Sequence, residues 1–128
     1  MTNATATIGR DRYRTRIEAS GHSITADEPE RLGGANAGPA PYDLLLSALG
    51  ACTAITLRMY ADRKEWPLES LGVDLRVVRD GDTMRIERTL APVGDLTVEQ
   101  RARLADVAER TPVTLTLKSG VAIHTKLA

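Results

Sequence analysis

The segment that decides the fold of this 128-residue chain spans residues 41–57 and reads PYDLLLSALGACTAITL. It predicts a long helix from Pro41 to Lys64, ended by the Trp66-Pro67 step, because the residue before a proline is disfavoured in a helix. The helix is apolar around most of its circumference, so it must be buried on more than one side. A homodimer that packs two copies together meets this need; a helix wrapped by its own sheet is the alternative.

The segments on either side of this helix predict an α+β fold in the order βββαββαβ. Alternating apolar and polar residues between 4 and 27 predict three antiparallel strands, followed by a glycine- and proline-rich loop over 31–41. The remaining elements are a hairpin of strands 71–79 and 83–90 around Asp80-Gly81, a helix that opens with a capping box at Thr97 and ends at Arg110, a short piece 113–117 after Pro112, and a final strand 121–127. A chain of this length predicts a single domain over residues 1–128.

Charge composition disfavours nucleic acid as a partner. Seventeen basic and seventeen acidic side chains give a formal net charge of zero, so the bulk attraction to a phosphate backbone is missing. The basic strip of Arg10, Arg12, Arg14 and Arg16 is interrupted by Asp11, and we interpret it as a solvated strand face. Neither nucleic acid nor a membrane is therefore predicted as a partner.

Location and metal content are also constrained by the composition. The first residues lack a charged segment followed by an apolar one, which predicts a cytoplasmic protein without a secretory signal. The most apolar stretch has only about fourteen residues, fewer than the roughly twenty of a membrane span. Because the chain has one cysteine and its two histidines, His22 and His124, are far apart, we expect no metal site and no intrachain disulfide.

The single cysteine, Cys52, is either a packed core residue or a nucleophile in an apolar site. Helical spacing places it on one face with residues that would form an apolar pocket wall: Leu45, Ala48, Leu49, Ile55, Thr56 and Met59. An apolar pocket alone keeps a thiol protonated, so activation requires a nearby cation or hydrogen-bond donor. Cys52 lies three turns inside its own helix, beyond the reach of that helix's dipole, and the nearest dense supply of cations is Arg10 and Arg12.

An acidic residue, Asp43, occurs in the first turn of the same helix, where a carboxylate favourably meets the positive end of the helix dipole. Nine residues at about 100° each place it on the face opposite Cys52. A direct contact between the two would require a dimer, or a chain that is not helical before Leu44.

Several stretches resemble the osmotically inducible protein C / organic hydroperoxide resistance (OsmC/Ohr) family. The resemblance lies in residues 26–29 (ADEP), in the glycine-proline loop and leucine-rich helix of residues 33–53, in residues 59–69 (MYADRKEWPLE), and in Pro112-Val113 followed by Thr116-Leu117. It covers nearly the whole chain.

This resemblance implies an intertwined homodimer with active sites at the subunit interface, where a cysteine pair reduces organic hydroperoxides. Cys52 matches the cysteine that attacks the peroxide, Arg10 or Arg12 matches the arginine that holds the thiolate, and Asp43 falls near the acid at the helix start, a glutamate in the better-known peroxidases. The second, resolving cysteine of the family is replaced by Thr111.

Two functions follow from the resemblance. One is a one-cysteine, thiol-dependent reductase of small organic hydroperoxides that uses no cofactor and needs an external thiol. The other is a catalytically inactive relative that binds a small hydrophobic ligand or senses peroxide, with Cys52 as a packed residue.

Overall fold

A computed structural model describes residues 2–128. Contacts divide this part of the chain into two compact units, one ending at Leu45 and the other beginning at Leu46. The prediction that they form a single domain stays a prediction.

The first unit contains the predicted antiparallel meander. Its strands are β1 (Ala4–Ile8), β2 (Thr15–Ala19) and β3 (His22–Ala26), hydrogen-bonded in the order β1-β2-β3. Ser20 and Gly21, between β2 and β3, both have positive φ angles of 47° and 86°. Two consecutive residues with positive φ suit the twist of a tight hairpin, which explains the break after β2.

The loop after β3 is held by one buried carboxylate, Asp27, which is 2% exposed. Its oxygens accept the backbone N–H groups of Glu28, Ala35 and Ala37 at 2.8, 3.2 and 3.0 Å. A Cβ at Gly34 would collide with the carbonyl of Glu28, so this position requires glycine. The loop is therefore an ordered structure closed on Asp27.

The central helix, α1, runs from Pro41 to Arg63, one residue short of the predicted end. Its fully buried residues fall on one stripe at spacings of four: Leu49, Thr53, Leu57 and Ala61. Leu57 and Ala61 pack with Leu68, Leu104 and Ala108 in the core of the second unit. At Gly50 a Cβ would lie 2.9 Å from the Leu75 side chain, so the glycine allows close helix–strand approach.

The rest of α1 departs from the predicted burial. Ile55 and Met59, away from the buried stripe, are 55% and 58% exposed, so a single chain does not bury α1 on more than one side, and its burial by a second copy stays a prediction. The alternative of a helix wrapped by its own sheet is wrong for the same reason. α1 is long and apolar enough to cross a membrane, with a mean hydropathy of 1.5, although core helices of soluble proteins also meet this criterion.

The second unit continues with a hairpin and two helices. The elements are β4 (Leu68–Asp80), β5 (Thr83–Gly94), α2 (Val98–Ala108) and α3 (Pro112–Ser119). The hairpin is confirmed and longer than predicted. The capping box is also confirmed: Thr97 Oγ1 accepts the Gln100 N–H at 3.0 Å, and the Gln100 side chain accepts the Thr97 N–H at 2.9 Å.

The predicted final strand is wrong for the single chain, because residues 121–127 form no strand in the described structure. Val121, Ile123 and Leu127 are 70%, 84% and 100% exposed. A strand needs a neighbouring strand to pair its backbone groups, and the alternating pattern at the C-terminus records only that one face is apolar. The observed order is βββαββαα, still an α+β fold.

Asp27 predicts a specific acid sensitivity. The N–H of Ala37, with those of Glu28 and Ala35 and the charge of Arg14, holds the pKa of Asp27 below its usual range against the opposing effect of burial. A lowered pKa in the folded state means that this stabilisation is present above the usual carboxyl range, about pH 4, and is lost as pH falls through the folded-state pKa. Asp27→Asn should therefore unfold at lower urea than the wild type at neutral pH, and the difference should shrink in acid. Asp82→Asn, at an exposed turn, is the control; equal urea midpoints for Asp27→Asn and wild type at neutral pH would contradict this role.

Candidate functional site

Cys52 lies on α1 beside the buried Thr53 and is itself half-buried. Its Sγ is 4.0 Å from Thr56 Oγ1, one turn further along the helix. The same sulfur accepts the backbone N–H of Val113, with 3.4 Å between nitrogen and sulfur. The thiol therefore has a polar donor from a distant part of the chain.

The donor to Cys52 is the start of α3. Pro112 occupies the first helical position and has no N–H, so the first amide that this helix can offer is that of Val113. Among the described residues, no side chain caps this end of α3. The sulfur thus takes the place of a cap, and the positive end of the helix dipole faces it.

This arrangement adds a donor that the sequence pattern did not reveal, and the assignment of Arg10 or Arg12 to the thiolate stays a prediction. The dipole of α1 is indeed out of reach, but the start of another helix, α3, approaches the sulfur. The start of α3 and Cys52 both belong to the second unit, so this donor reaches the sulfur without a contribution from the first unit.

A buried arginine, Arg88, joins the elements around this contact. Its side chain is 11% exposed. One terminal nitrogen, Nη1, donates to Thr53 Oγ1 at 3.0 Å and to Thr114 Oγ1 at 2.9 Å. The other, Nη2, donates to the Ala108 carbonyl at 3.0 Å and to Glu109 at 3.3 Å. A single side chain on β5 therefore binds α1, α3 and the end of α2.

Glu109 balances part of the charge of Arg88. Lys118 donates to Glu109 Oε1 at 2.7 Å. Lys118 first, with a smaller contribution from Arg88, holds the pKa of Glu109 below its usual range. Glu109 is therefore ionised at neutral pH, and it stabilises the positive charge of the guanidinium at the outer edge of the site.

Thr111 immediately precedes α3 and is 1% exposed. Its hydroxyl lies 2.6 Å from that of Thr114, which in turn donates to the Ala108 carbonyl at 3.2 Å. Only Pro112 separates Thr111 from Val113, whose amide donates to Cys52. The position at which the resemblance predicts a second cysteine is therefore near Cys52 in the fold.

The predicted pocket wall is mostly an open apolar face. Ala48, Ile55 and Met59 are exposed, whereas Leu45 and Thr56 are half-buried. Leu49 is fully buried and belongs to the stripe of α1 that faces the protein interior. In one chain these residues line an apolar surface beside Cys52.

The other predicted site residues lie in the first unit. Arg12, with a φ of 53°, donates to the Gly33 carbonyl at 3.3 Å, and Arg10 is exposed in the turn after β1. Asp43 Oδ2 accepts the Ala40 N–H at 2.9 Å at the start of α1. Because α1 is unbroken from Pro41, the chain before Leu44 is helical, and a contact between Asp43 and Cys52 would require a dimer. Their assignment to the site of Cys52 stays a prediction.

Sequence reasoning missed Arg88, although a signal for it exists. Ile86, Arg88 and Leu90 alternate along β5 and are all half-buried, so they share the inward side of the strand. A charged residue that alternates with two apolar residues on the same side of a strand indicates a buried charge with specific partners. Within residues 2–128 no group of three or more His, Cys, Asp or Glu side chains could hold a metal ion.

Comparison with known proteins gives a consistent result. Residues 33–126 match the family model described as OsmC-like protein. None of the curated protein sequences is significantly similar to this chain.

Three solved structures illustrate the similarity of the fold. An OsmC-like protein from Mycoplasma pneumoniae is 21% identical, with a TM-score of 0.79 over 92% of this chain and 87% of its own. A candidate osmotic stress induced and detoxification response protein from Psychrobacter arcticus is 21% identical, with a TM-score of 0.78 over 91% and 88%. The organic hydroperoxide resistance protein OsmC from Legionella pneumophila is 21% identical, with a TM-score of 0.67 over 92% and 89%.

The position of Thr111 predicts that a disulfide can be introduced. Thr111→Cys should form a bond with Cys52 on mild oxidation, because a disulfide needs Cα atoms only about 4.4 to 6.8 Å apart. Loss of both free thiols without a change in oligomer mass measures the bond, and Ser119→Cys, at the far end of α3, is the control. A folded Thr111→Cys protein that keeps both thiols free after oxidation would contradict the site geometry.

Proposed function

Because this chain belongs to the OsmC-like protein family, we propose that it reduces organic hydroperoxides through Cys52, with an external thiol as reductant. The observation that carries the proposal is the hydrogen bond from the Val113 N–H to Cys52 Sγ at 3.4 Å. A packed, inert cysteine needs no such donor, whereas a nucleophilic thiolate is stabilised by one. Cys52 is also half-buried and not enclosed in the core, which suits a residue that must meet a substrate.

The chemistry proceeds in two stages. The Cys52 thiolate attacks the terminal oxygen of the hydroperoxide, the O–O bond breaks, and the alkoxide leaves and takes a proton to become the alcohol. Cys52 is then a sulfenic acid. A first external thiol condenses with it to give a mixed disulfide and water, and a second thiol releases Cys52 and leaves as the external disulfide.

The reductant must be external because the chain has a single cysteine. Thr111 stands where the family resemblance places the second cysteine, and a hydroxyl cannot condense with a sulfenic acid to form a disulfide. The cytoplasm, where thiols are kept reduced, is the compartment that suits this cycle. The cycle requires no metal and no bound cofactor.

The substrate class follows from the surface around Cys52. Ala48, Ile55 and Met59 on α1 present apolar side chains on the face that Cys52 shares. An alkyl or lipid hydroperoxide gains binding energy from such a surface, and hydrogen peroxide does not. Organic hydroperoxides are therefore the preferred substrates.

A homodimer completes the proposed site. Ile55 and Met59 are more than half exposed on a helix whose other stripe forms the core, and an exposed apolar face of this kind marks an interface. The alternating residues Val121, Ile123 and Leu127 need a strand to pair with, and a second copy can supply one. The intertwined arrangement implied by the resemblance satisfies both requirements and covers Cys52 with an apolar surface.

A second function has a specific observation in its favour. Thr111 is fully buried and hydrogen-bonded in the place of the resolving cysteine, so the internal half of the family's redox cycle is replaced by a structural contact. A protein that binds a small hydrophobic ligand, or that senses peroxide by one oxidation of Cys52, needs no resolving thiol. Turnover separates the two functions, since only the enzyme consumes more than one equivalent of peroxide.

The test is peroxide consumption in the presence of different thiol donors. Wild type should consume many equivalents of cumene hydroperoxide with a suitable dithiol or monothiol, and Cys52→Ser should lose this activity because it lacks the nucleophile. A matched control moves the thiol: Cys52→Ser/Ser70→Cys keeps one cysteine, now on exposed β4. Its rate should equal that of Cys52→Ser.

Two results would contradict the enzyme. If wild type stops after one equivalent with every thiol donor, the sensing or ligand-binding function stands in its place. If the relocated cysteine is as active as Cys52, the surroundings of Cys52 contribute nothing and any protein thiol suffices.

A further inference from the structure

We infer that Arg88 is a positioning residue that holds the start of α3 against the sulfur of Cys52. This inference rests on the proposed function, in which Cys52 acts as a thiolate. Arg88 does not touch the sulfur in this arrangement; it acts through the two segments that meet there.

One terminal nitrogen of Arg88 binds the helix on each side of the contact between Cys52 and Val113. Nη1 of Arg88 donates to Thr53, the neighbour of Cys52 on α1, and to Thr114, the neighbour of Val113 on α3. α1 and α3 are therefore joined twice, once by the 3.4 Å contact between Cys52 Sγ and Val113 N and once through the guanidinium. Any movement of α3 away from α1 must break one of these two hydrogen bonds.

The guanidinium of Arg88 is itself held in place by further hydrogen bonds. Its Nη2 donates to the Ala108 carbonyl at the end of α2 and to Glu109. The two terminal nitrogens carry four N–H groups, and each nitrogen has two acceptors. A lysine keeps the charge but has no planar fork, so it cannot hold these acceptors at the same positions.

The directions of the hydrogen bonds made by the Thr53 and Thr114 hydroxyl groups support the same role for Arg88. Thr53 donates its proton to the Leu49 carbonyl at 2.7 Å, which leaves its oxygen free to accept from Arg88. Thr114 donates to the Ala108 carbonyl, so its oxygen accepts from both Arg88 and Thr111. The network therefore needs an N–H donor at position 88 that reaches both threonine oxygens.

The buried hydroxyl of Thr111 belongs to this network. Its oxygen lies 2.6 Å from the same Thr114 oxygen that Arg88 binds. A residue that occupies the place of a resolving cysteine therefore strengthens the support of Cys52. In place of a resolving cysteine, Thr111 thus helps to position the Val113 amide of α3.

The test measures the reactivity of Cys52 without peroxide. Iodoacetamide alkylates only the thiolate, so the pH profile of alkylation in the folded protein reports how well the site stabilises that form. Arg88→Lys and Thr114→Val should each slow alkylation at neutral pH, about tenfold for Arg88→Lys, and move the profile to higher pH, because the α3 amide loses its fixed position. Thr114→Ser keeps the hydroxyl and should recover most of the rate.

Controls separate positioning from loss of structure. Arg85→Lys alters an arginine on the same strand that pairs with Asp80 and Glu87 at the surface, and it should leave the profile unchanged. Urea unfolding of each variant identifies any that is not folded; if Arg88→Lys does not fold, the pair Thr114→Val and Thr114→Ser decides. Unchanged profiles in the folded Arg88 and Thr114 variants would overturn the inference.

The same measurement is independent of the proposed activity. A wild type that alkylates readily but never turns over peroxide would refute the reductase and leave Arg88 as the support of a reactive cysteine. A wild type that turns over peroxide while the folded Arg88→Lys and Thr114→Val variants alkylate at its rate would refute only the role of Arg88.

Discussion

The second unit depends on the burial of one positive charge. A guanidinium with 11% of its side chain exposed is stable only if its N–H groups have partners, because an unpaired buried charge destabilises a protein strongly. Arg88 meets this requirement with Thr53, Thr114, Ala108 and Glu109, which belong to α1, to α3 and to the segment that ends α2. Satisfying the charge therefore fixes the mutual placement of three helices on the β4–β5 hairpin.

The placement of Cys52 is a consequence of this constraint. Pro112 removes the first amide of α3, Val113 offers the next, and the contact of Thr114 with Arg88 brings that amide to the sulfur. The apolar face of α1 beside it is open in one chain, which suits both a hydrophobic substrate and a second subunit. Structural support and the hydrogen bond to the sulfur thus use the same few residues.

Local patterns in the sequence predicted most of the fold. The Trp66-Pro67 step, the Thr97 capping box and the glycine between β4 and β5 set the ends of elements through interactions within a few residues, and these predictions are confirmed. The prediction of a strand at 121–127 was wrong because a strand needs a partner strand, and the alternating pattern does not show whether one is present. The site was harder to predict, since the approach of α3 to Cys52 joins residues 61 positions apart through a buried arginine.

The central claim is that the first free amide of α3 donates to the sulfur of Cys52. The most direct measurement is the amide resonance of Val113, followed by proton–nitrogen correlation spectra through the pH range in which Cys52 ionises, in wild type and in Cys52→Ser. The negative charge on the sulfur perturbs an amide that donates to it. The chemical shift of Val113 should therefore change with the ionisation in wild type and stay constant in Cys52→Ser. A Val113 resonance that behaves identically in both proteins would contradict the claim.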